Sequence, residues 1–199
     1  MLRNLKNLLK LLILNLIFIS CKDESKVRLT ELKNQDVEKT TELITQIFED
    51  EKKGFLFTNC ITEKARGVNR PMVSDFDEYV KNHLKIKDSI HYNLQLESYK
   101  KFILTSDITK GKNILTQSQF KEFERKSELG EFKFWDWLEN NCSDGYSSIS
   151  KPIFNENYTL AYIQIGTVCG SLCGGGEERI YEYINGTWIE KENFGNWVS

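Results

Sequence analysis

The chain is poor in proline and histidine and has no long apolar run, and each scarcity removes a class of protein. Two prolines, Pro71 and Pro152, among 199 residues argue for a folded domain and against an extended stalk. Aromatic residues make up 12% of the chain and continue to its very end, so a core is available. The two histidines, His83 and His91, are eight apart, which fits no pair of ligands on one helical turn. The N-terminal apolar run from Leu11 to Ile19, broken by Asn15, is too short for a bilayer core, which needs about 20 residues. Basic residues form no cluster, so there is no electrostatic footprint for nucleic acid and none for a domain lying on anionic lipid. Gly-x-Ser-x-Gly is absent. No carboxylate pair stands out either. The sequence therefore offers no catalytic residue, no cofactor motif and no metal site.

What is present begins at the N-terminus. Arg3, Lys6 and Lys10 precede the apolar run, a small residue and a cysteine follow as Ser20-Cys21, and Lys22-Asp23-Glu24 comes next. A basic head, a short apolar stretch and a small residue before the cut predict a secretory signal peptide over residues 1–20. Phe18-Ile19-Ser20-Cys21 resembles a bacterial lipobox, with Phe18 where leucine is usual. The resemblance implies that Cys21 is acylated and becomes the mature N-terminus. Lys22-Asp23-Glu24 resembles the signal that sends lipoproteins of Bacteroidota-type bacteria to the outer cell surface. The resemblance thus implies an outer-membrane lipoprotein, exposed at the cell surface or, alternatively, facing the periplasm. A multiply acylated cysteine meets the two-signal requirement for stable anchoring. Residues 21–30 are expected to be the lipidated N-terminus and a polar tether, and 31–199 a single domain.

Removing residues 1–20 leaves 179 of the 199 residues. It takes three of the 27 basic residues, so 24 face 29 acidic ones, a net of −5. Four cysteines then remain: Cys60, Cys142, Cys169 and Cys173. An even count in an exported chain reads first as two disulfides, with three pairings open. Cys169 with Cys173 is the natural local pair, which leaves Cys60 with Cys142. In the chain-entropy account the short bridge contributes about 2 kcal/mol and the long one about 4 kcal/mol.

Apolar periodicity predicts a helix from Gln35 to Lys52, closed by Gly54, and Phe55–Ile61 reads as a strand. Ser74 with Asp77 resembles a capping box ahead of the stripe Phe76, Tyr79, Val80, His83 and Leu84. Ser89–Lys100 fits helix or strand. Phe102–Thr105 reads as extended. Thr116 with Gln119 forms a second capping-box pattern, opening a helix that Gly130 breaks. Phe132–Asn141 reads as helical, with Phe134, Trp135 and Leu138 inward. Four strands follow, at Ser147–Phe154, Thr159–Val168, Arg179–Ile184 and Thr187–Asn193, and Asn185-Gly186 marks a type I′ hairpin turn. The fold class is α+β, with helices packed on a C-terminal antiparallel meander of about four strands.

The unusual local feature is Cys169-Gly170-Ser171-Leu172-Cys173-Gly174-Gly175-Gly176. Acidic residues and a strand follow it, so it is no phosphate loop. Its cysteines are separated by three residues rather than two and lack a helix N-terminus, which argues against a redox pair. A disulfide-stapled loop remains, and Gly170, Ser171, Leu172, Gly174, Gly175 and Gly176 are its candidate binding residues. Trp135, Trp137, Trp188 and Trp197, with Tyr162, Tyr181 and Tyr183, raise a second candidate, a glycan-stacking platform. The segment from Ser150 to Ser199 also resembles a group of small Bacteroidota-type lipoproteins with no established activity. The expected role is a binding or interaction module, anchored by lipid, with a protein or glycan ligand. The alternatives are a small hydrolase-like envelope enzyme and an immunity-type inhibitor.

Overall fold

A computed structural model describes residues 27–50, 56–65 and 76–198. Two compact units are distinguished, residues 1–39 and 40–199. The described part of the first is helical throughout. Helix α1 includes residues 27–50, so residues 27–30 of the stretch expected to be tether are helical, and residues from Thr40 onward belong to the second unit. The Gly54 cap, Phe55, Pro71 and Ser74 lie outside the described residues.

The second unit is α+β. Strand β1 (Cys60–Thr62) is followed by helices α2 (Phe76–Leu84) and α3 (Ser89–Lys101), and β2 (Asn113–Leu115) by α4 (Gln117–Glu128) and α5 (Phe134–Asn141). The chain ends in β3 (Tyr146–Ile149), β4 (Ile153–Phe154), β5 (Leu160–Gly170), β6 (Cys173–Ile184) and β7 (Thr187–Val198). The strands form one seven-stranded sheet in the order β2-β1-β3-β5-β6-β7, with β4 also paired to β5. β1 runs parallel to β2 and β3, whereas β3, β4, β6 and β7 pair antiparallel with their neighbours. The C-terminal meander is as expected, but the sheet as a whole is mixed. Parallel neighbours need long crossovers, and the helix pairs α2–α3 and α4–α5 supply them.

Local chemistry explains most boundaries. Thr116 and Gln119 close the capping box of α4. Asp88 accepts from the amides of Ile90 and His91 and starts α3, which settles Ser89–Lys100 as helix. Asn185 and Gly186 take φ of 51° and 86°, the left-handed pair that a type I′ turn requires. The strand expected over Ser147–Phe154 is broken at Ser150. There the Ser150 hydroxyl accepts the Gln164 N–H at 2.9 Å, and Pro152 has no N–H to offer.

The central strand β5 is buried on both faces from Leu160 to Thr167. Ile163 and Ile165 join Leu43, Ile44 and Ile47 of α1 with Tyr181 and Trp188 in one cluster. Tyr162 and Leu160 join Val80, Leu84 and Tyr92 of α2 and α3 on the other side. A third cluster of Cys60, Leu115, Phe120, Leu138, Cys142 and Tyr146 joins α4 and α5 to one end of the sheet. At roughly 1.5–3 kcal/mol per buried aliphatic or aromatic side chain, these clusters dominate the fold. No helix among the described residues is long and apolar enough to cross a membrane.

Candidate functional site

Both disulfides converge on one end of the sheet. Cys60, the first residue of β1, is bonded to Cys142 just past α5, with Cα atoms 5.8 Å apart. Cys60 is also in register with Tyr146 at the start of β3, and Tyr146 is opposite Val168 in β5. One residue further on, Cys169 is bonded to Cys173, with Cα atoms 5.0 Å apart. The turn from Cys142 to Gly145 fills the space between the two bridges, and the Gly145 amide donates to the Cys142 carbonyl at 2.7 Å. The pairing is the one that spacing suggested, and it places both covalent ties in the same pole of the sheet.

Leu172 stands at the tip of this pole, 88% exposed. A bridge four residues long closes the loop beneath it. Val198, 83% exposed, lies in register with Gly175 at the same end. The six candidate loop residues separate into two groups. Gly170, Ser171 and Leu172 lie at or beside the turn. Gly174, Gly175 and Gly176 belong to β6 instead, so they are not part of a free loop. Gly176 is there for packing: a β-carbon on it would lie 2.5 Å from Nε1 of the Trp197 indole and 2.8 Å from the Ile165 carbonyl oxygen.

The aromatic platform does not exist as a unit. Trp188, Tyr162 and Tyr181 are buried, at 2%, 0% and 5% exposure, and belong to two different core clusters. Trp135 was expected inward but is 42% exposed. Trp137 takes the packed position, with its ring 4.4 Å from that of Phe123. The histidines are separate, as their spacing implied. His83 stacks on Phe194 at 5.1 Å and 11°, while His91 bonds the Phe154 carbonyl at 2.9 Å. No cluster suited to a metal ion occurs among the described residues.

No motif or spacing in the sequence marks Glu178 as a buried carboxyl. It lies opposite Gln164 in the β5–β6 register and is 5% exposed. Its carboxyl faces Tyr162, Gln164 and Tyr79, and burial pushes its pKa upward while those contacts pull it partly back. Burial, and then the charge of Glu178, raise both Tyr79 and Tyr162 above the usual tyrosine range. The Tyr99 hydroxyl donates to Gln164 Oε1 at 3.0 Å and extends the group. Glu177, the adjacent residue, points to the opposite face by strand alternation. There Arg179 Nη2 donates to Glu177 Oε1, and Asn193 donates to Glu177 Oε2 at 2.6 Å. Arg179 also reaches Tyr181 at 3.1 Å and Glu190 at 3.3 Å. Glu177 is thus held in an ion-pair network, whereas Glu178 combines burial with the phenolic neighbours of a proton-holding group. The two buried acids of β6 do not converge on one point. Against protein-family models, curated proteins and solved structures, the chain matches nothing.

Proposed function

We propose that this protein is a lipid-anchored envelope protein of the outer membrane, displayed at the cell surface, that binds a protein partner through its disulfide-stapled pole. The observation carrying the proposal is Leu172, 88% exposed on a loop closed by the Cys169–Cys173 bridge. An apolar side chain on a constrained loop loses little conformational entropy when a partner covers it. The Cys60–Cys142 bridge braces the surface behind it. Acylated Cys21 is the membrane attachment in this reading.

The test is capture from solubilised envelopes by the acylated protein, compared with its Leu172→Asp variant. The variant folds with unchanged stability, because exposed substitutions stay within about 0.5 kcal/mol, and loses the partner. Retention of the partner by the variant would remove the loop from the binding surface. In the same cells, Cys21→Ser abolishes incorporation of a palmitate analogue and releases the protein from the membrane. Persistent labelling would refute the anchor.

A second reading, a small envelope enzyme, rests on Glu178 and its tyrosines. Glu178→Gln would then abolish a hydrolytic activity without unfolding the chain, whereas the binding reading leaves partner capture intact in that variant.

A further inference from the structure

The half-exposed face of α5 carries a second surface feature, independent of Leu172. A groove of about 470 Å³ lies along α5 and the turn before it, lined by Phe132, Lys133, Asp136, Trp137, Asn140 and Asn141 among others. The groove is shallow and open to solvent, so it would cover one face of a ligand rather than enclose it. Residues 133, 136, 137, 140 and 141 follow the spacing of a single helical stripe, in which Lys133, Asp136, Asn140 and Asn141 are exposed and Trp137 is half-buried, while Leu138 takes the core side.

Two properties of the lining define what it suits. Its aromatic part is immobilised: Trp137 packs on Phe123 at 4.4 Å, and Phe132 stacks on the same ring at 4.8 Å and 7°. Its polar part is oriented: Asn140 donates to the Asp136 carbonyl at 2.6 Å and Asn141 to the Trp137 carbonyl at 2.8 Å. Each amide therefore keeps one N–H and its carbonyl oxygen for a ligand. Lys133 and Asp136, 3.9 Å apart, offset each other's charge at the rim, and Glu131 leaves the lining with a net negative charge, so the groove disfavours anions. A rigid ring beside groups that both donate and accept matches a neutral pyranose. Such a sugar presents C–H groups on one face and hydroxyls around its edge.

We propose that this groove is a carbohydrate subsite for a neutral hexopyranose unit, with Trp137 as the stacking residue and Asn140 and Asn141 as the hydroxyl-binding residues. The Cys60–Cys142 bridge, directly after Asn141, fixes the end of the helix that carries them.

The test is saturation-transfer NMR on the processed protein with methyl glycosides of glucose, galactose, mannose, N-acetylglucosamine and N-acetylgalactosamine. At least one sugar receives saturation and shifts one of the indole N–H resonances, and Trp137→Ala removes both effects. Asn140→Ala, exposed and away from the core, weakens that sugar about three- to tenfold, the loss of one hydrogen bond. Trp135→Ala leaves binding unchanged, and so does Leu172→Asp, which separates this site from the stapled loop. Transfer to none of the five sugars overturns the proposal, as does wild-type binding by the Asn140→Ala and Trp137→Ala variants.

Discussion

Gly145 and Cys169 are in direct backbone contact. A β-carbon on Gly145 would lie 2.6 Å from the Cys169 Cα, and Gly145 holds φ at +83°. This one contact brings the turn after Cys142 against the strand that carries the second bridge, so the pole is braced across sequence as well as within each disulfide. Gly145→Ala is expected to cost about 2–4 kcal/mol, combining positive-φ strain with overpacking. Urea denaturation of the oxidised protein measures it. A loss under 1 kcal/mol would mean that the turn can move away from Cys169.

The two bridges should differ in what they contribute. Cys60–Cys142 spans 82 residues and Cys169–Cys173 spans four. Loop-closure entropy then gives about 4 kcal/mol for the first and about 2 kcal/mol for the second. Paired cysteine-to-serine variants, compared by urea denaturation, should preserve that order, and a reversal would show that the short bridge does more than close its loop.

Glu178 and Glu156 should move stability in opposite directions with pH. Glu178 has its folded pKa raised by burial. Its contribution is complete below the ordinary glutamate value and is lost as pH rises through the folded one. Burial raises Glu156 too, but the amides of Asp88 and Lys87 outweigh it and hold the group low. That contribution is present above the ordinary value and is lost as pH falls through the folded one. Melting temperatures from pH 2 to 9 should therefore show Glu178→Gln flattening the decline above the ordinary glutamate value and Glu156→Gln flattening the decline below it. A Glu178→Gln curve parallel to wild type above the ordinary glutamate value would contradict the burial argument.

Gln46 ties α1 to β7 by a two-way clasp across 142 residues. Its amide donates to the Trp188 carbonyl and accepts from the Trp188 N–H, the latter at 3.0 Å. Gln46→Leu deprives both backbone groups of their partner and should cost about 2 kcal/mol. Hydrogen exchange at the Trp188 amide checks the cause, since the variant should exchange there faster than at Ile163.

The legible parts of this fold were those whose information is local. The Thr116–Gln119 box and the Asn185-Gly186 turn each encode their geometry within four residues, and the structure has both. Leu172 at an exposed turn was legible for the same reason. The strand reading of Phe55–Ile61 met β1 only at Cys60 and Ile61, and β2 and the parallel pairing of both were not legible, because that pairing depends on crossovers that no short window contains. Gly174–Gly176 misled for a related reason. Glycines normally signal a loop, but here Gly176 makes room for Trp197, a contact visible only once the β6–β7 register is known. Glu178 was hidden likewise, since burial of a charged residue in a strand depends on the helix α2 packed above it.

Photo-crosslinking from position 172 on intact cells, with position 90 as control, tests partner binding at the stapled pole. Ile90 is 72% exposed and sits at the start of α3. There the Lys87 and Asp88 amides reach Glu156, beside the opposite end of β5, about 30 Å away at strand rise. A discrete crosslinked partner is expected from 172 and none from 90. Equal crosslinking at both positions, or none at 172, would contradict it.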